Sequence, residues 1–348
     1  MSIFGIAFQP YVGPWVGDGP VYYNAYTLDT VKKLLAPVAE HFPLILTYGQ
    51  GTFVGTGSPQ ILDSNKFNIQ AAKSAGIQVS AGCFQQGADQ NSDFINVAWT
   101  KTEVDYAIQQ AKQYKNVVDL VIGNECIWGP KSVQAIIDLI AYAKIKRAPL
   151  TPAQLPITTR QRWDLLAAVD NSGWNLQQKV LALLAACEKQ IYATMYAYFD
   201  KDIGSKIGNT QASFTAAVTT SMNDKLAALQ QAFTNQGIGL EIRIGETGWP
   251  TKGTQLDQPD PTLANVKFAQ WYYDAMVNWS DANNVKTVIF EAYDEPWKGP
   301  ANGSNSEAFF GIWKANGLAP DRAKYTLTGT SQKYNLSQPM YRSAEAGG

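Results

Sequence analysis

Two glutamates carry the strongest chemical signal in this chain, because each stands where an apolar, strand-like run breaks off. The first closes Val121-Ile-Gly-Asn124-Glu125, and the second follows Leu240-Glu-Ile-Arg-Ile-Gly245 and precedes Thr-Gly-Trp249-Pro250. Pro250 has no N–H to give a sheet ladder, so the strand must stop and Glu246 sits at a strand-to-loop boundary. Two carboxylates brought to one cavity can divide the breaking of an acetal. One protonates the departing oxygen while the other attacks the anomeric carbon or activates water. A separation of about 5–5.5 Å makes the second a nucleophile, with retention of configuration. Taken alone, either glutamate also reads as a solvated strand end, and Glu125 as an ion-pair partner for Arg160 or Arg162. The pair is what gives the chemistry weight.

Composition removes the main competitors. The 348 residues include one histidine, His41, in Glu40-His41-Phe42-Pro43 at the end of an amphipathic helix, where a basic residue caps or faces solvent. A Ser-His-Asp or Cys-His mechanism and a histidine-rich metal site are therefore not expected. Cys83, Cys126 and Cys187 have no paired spacing, which makes neither a disulfide framework nor a zinc site. A metal-assisted reaction at Asp294 and Glu295 would need more ligands than the chain clusters, and no metal or cofactor is implied. Gly49-Gln-Gly51-Thr-Phe-Val-Gly55 misses the dinucleotide fingerprint, and Ser58-Pro59 follows it instead of a helix. A net charge of −1 leaves no basic footprint for nucleic acid or anionic lipid. Apolar runs fall far short of the ~20 residues of a membrane span. Met1-Ser-Ile-Phe-Gly-Ile-Ala enters a strand directly, so the protein is either intracellular or has lost a leader. Carboxylates, hydroxyls and lysines must do the chemistry, beside flat faces from ten Trp and seventeen Tyr.

The elements that would position the glutamates recur along the chain. Strand-like runs occupy Ile3–Ala7, Leu44–Tyr48, Ile77–Gly82, Val117–Glu125, Pro156–Thr159, Ile191–Tyr198, Leu240–Glu246 and Thr287–Asp294. Most gaps hold a helical pattern. Val31, Leu34, Leu35 and Val38 recur at helical spacing; Pro130 opens a stripe through Val133, Ile136, Ile137 and Ile140; and another runs from Phe214 to Phe233 and stops before Gly237. Strands alternating with helices imply a parallel sheet with helices outside, and eight such units imply a closed (β/α)8 TIM barrel of the α/β class. Nothing divides the chain, so a single domain over 1–338 is expected, with a mobile tail at 339–348. In such a barrel the working face lies where strands end. That face gathers Tyr11, Tyr48, Asn124, Glu125, Tyr196, Glu246, Trp249, Glu295, Trp297 and Lys298, with Trp15, Trp128, Trp163 and Phe199 as further flat faces. Trp249 and Trp297 read equally as core plugs or sugar platforms, and Lys298 could be a surface residue.

The motifs themselves resemble a known family. Val121-Ile-Gly-Asn124-Glu125 and Ile244-Gly-Glu246-Thr-Gly-Trp249-Pro250 are similar to the two catalytic signatures of glycoside hydrolase family 17, the β-1,3-glucanases and related glucanosyltransferases. Phe290-Glu-Ala-Tyr293-Asp294-Glu295-Pro296-Trp297-Lys298 and Glu307-Ala-Phe-Phe-Gly311 resemble its strand-eight segment, and Gly5-Ile-Ala-Phe-Gln-Pro-Tyr11 is a weaker echo. The resemblance implies Glu125 as acid/base and Glu246 as nucleophile. It further implies that Asn124 bonds the 2-hydroxyl of the sugar, that Tyr196 holds Glu246, and that Glu295, Lys298 and Glu307 form a polar cluster at the floor of the site. The implied substrate is a β-glucan chain, the implied species a monomer, and the implied location secreted, periplasmic or cell-wall associated. Asn278-Trp-Ser280, Asn302-Gly-Ser304 and Asn335-Leu-Ser337 fit the N-glycosylation pattern without deciding the host.

The chain also departs from the family. The arginine often found before the strand-two tyrosine is replaced by Leu46-Thr47, and strand five ends in Arg160-Gln161-Arg162 where a small or acidic residue is commoner. Subsite geometry is thereby left open. The expected activity is retaining hydrolysis of β-1,3-glucan. The alternative is glucanosyl transfer with the same glutamates, and a more remote one is a catalytically idle glucan-binding module.

Overall fold

The computed structural model describes residues 3–12, 15–16, 19–20, 26–53, 60–61, 64–87, 92–148, 150, 154–254, 258, 260–299, 304–316 and 318–328, and the statements below concern these. The side chain of Trp15, residues 54–59 of the glycine-rich loop, the triplets at Asn302 and Asn335 and the tail 339–348 lie outside them.

Eight parallel strands close on one another: β1 (Ile3–Ala7), β2 (Leu44–Leu46), β3 (Gln78–Cys83), β4 (Val117–Asn124), β5 (Ile157–Arg162), β6 (Gln190–Thr194), β7 (Glu241–Thr247) and β8 (Thr287–Ile289). Each pairs with its neighbours in chain order, and β1 meets β8 at Ile6 and Ile289 and β2 at Ile6 and Ile45. The expected (β/α)8 barrel is thus the fold. Strands buried on both faces read as continuous apolar runs, which is why they could be counted.

The helices form where the stripes fall. Helix α1 (Leu28–His41) is capped by the Thr27 hydroxyl, which accepts from the Thr30 N–H at 3.2 Å, and it buries Val31, Leu34, Leu35 and Val38. Then come α2 (Asn68–Ser74), α3 (Val97–Tyr114), α4 (Pro130–Lys146), α5 (Trp163–Ala167), α6 (Gln177–Ala186), α7 (Ile203–Lys206), α8 (Gln211–Asn235) and α9 (Val266–Asn283). Pro130 occupies the first turn of α4, and Gly237 follows α8 at φ +65°, a conformation with little cost for glycine. Asn278 is exposed on α9, whereas Ser280 of its triplet is buried and bonded to Thr287.

The strand limits differ from the sequence reading. Strands two, six and eight stop at Leu46, Thr194 and Ile289, earlier than expected, and strand five continues to Arg162. Tyr48 and Tyr196 therefore belong to loops above the barrel. After β8 the described residues form no α-helix. Short 3₁₀ turns at Pro296–Lys298 and Ser306–Phe309 lead into a hairpin of β9 (Trp313–Asn316) and β10 (Ala319–Ala323). Trp313 packs its ring 6.0 Å from half-buried His41 and 6.3 Å from Phe42 of the α1 end, and Thr326 exchanges two hydrogen bonds with Gln270 of α9. This segment fills the wall between α9 and α1, where an eighth helix would lie.

The lower lumen is polar and closed. Asp119 of β4 accepts from Tyr192 Oη at 2.7 Å, Gln190 Nε2 at 2.9 Å and Ser80 Oγ at 2.5 Å, with Arg243 Nη1 at 3.7 Å. Removing the carboxylate would leave a buried guanidinium and three donors short of a partner. Asp119→Ala is expected to cost about 3–5 kcal/mol in urea denaturation; a loss under about 1 kcal/mol would show that Glu241 alone satisfies Arg243.

Candidate active site

Both glutamates are aimed by irregularities in the strands that carry them. Pairing of β6 with β7 steps from Ala193–Ile244 to Thr194–Glu246, which makes Gly245 an extra residue. Such a bulge reverses the alternation that follows, so Glu246 faces the lumen like Arg243 before it, while Thr247 turns outward to the Tyr272 hydroxyl. On β4 the pairing with β5 steps from Val121–Thr158 to Asn124–Arg160, three residues against two, with Gly123 at φ +77°. Glu125 itself has φ +47° and is tied by its N–H to the Arg160 carbonyl at 3.0 Å. A left-handed non-glycine residue costs about 1–3 kcal/mol and persists only where its surroundings fix it.

Glu246 is surrounded by donors. Tyr48 Oη donates to Oε1 at 2.9 Å and Tyr196 Oη to Oε2 at 3.0 Å, while Arg160 Nε lies 3.1 Å from Oε1. Arg160 is 1% exposed, rests 4.3 Å above the Tyr48 ring, and also donates through Nε to Asn124 Oδ1 at 2.6 Å. Its aliphatic stem crosses Gly245: an added Cβ there would sit 2.7 Å from Arg160 Cδ, so the glycine before the glutamate makes room for the guanidinium. Burial, then the Glu246 charge, pushes both tyrosine hydroxyls well above their usual range, so they stay protonated donors.

Glu125 has a different environment. Its Oε1 accepts from the Thr194 hydroxyl, and Thr194 is the strand partner of Glu246, so the two carboxylates flank one position. Burial, then the charge of Glu246, pushes Glu125 up to about 7 against the opposing pull of Thr194, Arg162 and Arg160. Both glutamates line a cavity of about 700 Å³ together with Tyr196, Glu307, Phe290, Phe310, Trp128, Trp163 and Phe199.

The strand-eight residues lie beneath. Lys298 Nζ stands 2.5 Å from Glu295 Oε2 and 3.4 Å from Glu291 Oε2, and 4.4 Å over the Phe290 ring. Burial, then the neighbouring Glu295 charge, pushes Glu291 well up. Lys298 goes up as well, because the charges of Glu291, Glu295 and Glu307 outweigh the opposing effect of burial. Lys298 is thus a partly buried cation and not a surface residue. The other flat faces divide. Trp249 is 2% exposed, donates its indole N–H to the Leu263 carbonyl at 2.7 Å and meets Phe214 at 4.9 Å and Tyr198 at 5.1 Å. It is a core plug, which corrects its reading as a sugar platform. Tyr11 is buried, accepts from Asn65 Nδ2 at 2.6 Å and meets Trp297 edge-on at 6.3 Å, away from the residues that line the cavity. The Asn124 amide is turned so that its oxygen serves Arg160.

Arg160, Thr194 and Glu291 were not among the expected site residues. For Arg160 a signal existed, since a charged residue just past the expected end of strand five needs a partner; the sequence offered Glu125, and the structure pairs it with Glu246 instead. Thr194 and Glu291 carry no such mark. Among the described residues no group of three or more His, Cys, Asp or Glu side chains is arranged to hold a metal, and no helix is long and apolar enough to cross a membrane.

A parallel barrel that turns two carboxylates into one cavity at its strand ends has the layout of a glycoside hydrolase. The chain belongs to the BtgE/BtgC glycoside hydrolase domain family, whose model matches residues 24–311, and this agrees with the family 17 assignment carried by the motifs. A glucan 1,3-beta-glucosidase of Candida albicans is 29% identical over 168 residues, 47% of this chain and 46% of that protein. The chain spans about half the length of the first curated relatives it matches. An endo-laminarinase from Formosa Hel1_33_131 shares the fold with a TM-score of 0.67 at 17% identity, over 89% of this chain and 83% of that one. An active-site mutant of Rhizomucor miehei beta-1,3-glucanosyltransferase in complex with laminaritriose does so at 0.62 and 15%, over 94% and 98%.

The electrical coupling of the two carboxyls is directly measurable. In Glu246→Gln the neighbouring negative charge is gone, so Glu125 is expected to titrate lower than about 7 by side-chain carbon NMR. An unchanged midpoint would mean the carboxyls do not share a field.

Proposed function

We propose that the protein is a retaining β-1,3-glucan hydrolase working by double displacement. The observation that carries this reading is the unequal treatment of two carboxyls beside one cavity: Glu246 is held by a guanidinium and two phenols, whereas Glu125 is pushed up to about 7. In the first step a Glu246 oxygen attacks the anomeric carbon, the glycosidic C–O bond breaks, and Glu125 gives its proton to the departing oxygen. In the second, Glu125 takes a proton from water, which displaces Glu246 and frees the sugar with its original configuration. Asn124 binds the 2-hydroxyl through its amide N–H groups, since its oxygen is committed to Arg160. Tyr48 and Tyr196 hold the nucleophile, and Lys298, Glu295 and Glu307 shape the floor beneath the sugar. Trp297 packs behind this floor. The catalytic unit is 1–338, acting as a monomer outside the cell or at the cell wall.

Glucanosyl transfer by the same residues is the second reading. It is favoured by Trp128, Trp163 and Phe199, which line the same cavity as the two glutamates and offer faces on which a second sugar ring can pack. Incubation with defined β-1,3-oligosaccharides, with products resolved by size, separates the two. Shorter chains alone mean hydrolysis, and products longer than the donor mean transfer. Glu246→Ala is expected to lower kcat by at least about 10³-fold, and kcat/KM of the parent should fall as pH rises through about 7, when Glu125 loses the proton it must donate. Full turnover in Glu246→Ala would exclude Glu246 as the nucleophile, and absence of turnover in the parent would reduce the protein to a glucan binder.

A further inference from the structure

Behind the loop that carries Tyr48 lies a buried carboxylate with no part in the reaction just described. Glu103, on the inner face of α3, is 1% exposed. Its Oε1 accepts from the Thr52 N–H at 2.8 Å and the Thr52 hydroxyl at 2.5 Å. Its Oε2 accepts from the Gln50 N–H at 2.5 Å and the Phe84 N–H at 3.1 Å. All four bonds go to the two loops that leave β2 and β3. Among the described residues no cation pairs with Glu103, and the titratable group facing it is the Cys83 thiol, which burial and the Glu103 charge push up.

A carboxylate buried without a cation is costly, and a core helix could place an apolar residue there instead. What this one achieves is geometric. It draws two backbone amides of the β2 loop, at positions 50 and 52, onto one helix face. The backbone at Gly49 runs so close that an added Cβ would lie 3.1 Å from Glu103 Oε2 and 3.1 Å from Phe84 Cβ. Gln50 adds a second tie, donating through Nε2 to the Gly82 carbonyl at 2.7 Å. Directly before this fixed stretch stands Tyr48, whose hydroxyl reaches Glu246 and whose ring supports Arg160. A shift of the loop by 1 Å would break the 2.9 Å bond to the nucleophile, because hydrogen bonds weaken steeply with misplacement.

We propose that Glu103 is a positioning residue for the reaction: by anchoring the loop after strand two it sets Tyr48, and through Tyr48 the Glu246 carboxylate. This rests on the proposed glycosidase reading. Burial also pushes Glu103 up to about 7, against the pull of its four donors. Protonation of one oxygen on acidification would leave a donor facing a donor, as the Glu103→Gln substitution does permanently.

The test is a double-mutant cycle on β-1,3-oligosaccharides with Glu103→Gln, Tyr48→Phe and the combination. Glu103→Gln alone is expected to lower kcat on the order of tenfold to a hundredfold with KM within about twofold. In the Tyr48→Phe background it should cost less than about twofold, because the contact it protects is already absent. The same factor in both backgrounds would overturn the inference, as would a lowered melting temperature with kcat unchanged. If Glu103→Gln does not fold, Thr52→Val, which removes one of the four donors, is expected to show a smaller loss with the same dependence on Tyr48. A crystal structure of the folded variant decides the matter without any substrate. The Tyr48 hydroxyl should leave Glu246, and a contact still at 2.9 Å would refute the positioning role. Absence of turnover in the parent protein would instead count against the glycosidase reading.

Discussion

The upper barrel depends on one buried cation. Arg160 brings a full positive charge into the lumen, where solvent cannot stabilise it, and its guanidinium must be matched by carboxylate and carbonyl oxygens. Its Nε lies between the Glu246 and Asn124 oxygens, and the guanidinium carbon stands 4.3 Å over the Tyr48 ring. A lysine could not take its place, because an ammonium at the end of a flexible stem lacks the planar group that stacks on the ring while its Nε–H points at the oxygens. The requirement spreads outward. Gly245 must lack a side chain so that the arginine stem can cross it. β7 must bulge there so that the next residue faces the cation and not the helices. Asn124 must turn its oxygen inward, which settles where its N–H groups are available. Three motif residues thus answer to a fourth that belongs to no motif.

Much of this was legible in the sequence, for a definite reason. Strands buried on both faces leave apolar runs of strand length between amphipathic stripes, and eight such units admit few architectures. Where side-chain composition stops tracking backbone geometry, the reading drifts. Tyr-Ala-Tyr after β6 and Glu-Ala-Tyr after β8 alternate like strands, yet the ladder ends at Thr194 and Ile289. The missing eighth helix is another case, since a hairpin and a strap can close the same gap without helical periodicity. Trp249 shows the limit for aromatics. A tryptophan beside a catalytic motif suits a platform or a plug, and only the rings around it decide between them.

The site itself was half legible. Motif residues could be named because strand ends bring them to one face. Of the residues that tune them, Tyr48 and Tyr196 stood on the expected face, whereas Thr194 and Glu103 could not be named, since they act through long-range contacts. Thr194 touches Glu125 across 69 positions, Tyr48 touches Glu246 across 198, and Glu103 reaches Thr52 across 51. Arg160 stood out as a departure from the family pattern and as a partner offered to Glu125, yet its contacts are with Glu246, Asn124 and the Tyr48 ring.

The division of labour between the two glutamates then follows from what surrounds them, not from their identity. Glu246 faces two hydroxyl donors and a guanidinium. Glu125 has one hydroxyl and more distant arginines, set against burial and the repulsion of Glu246. Glu125 is thereby the carboxyl suited to hold a proton it can donate. The strand-eight cluster extends the same logic downward. Three carboxylates around Lys298 cannot all stay ionised in a buried site, and Glu291, pushed well up, is the one suited to keep its proton. The groups that touch the two glutamates directly are Thr194 on Glu125 and Arg160, Tyr48 and Tyr196 on Glu246, and none of them belongs to the strand-eight cluster.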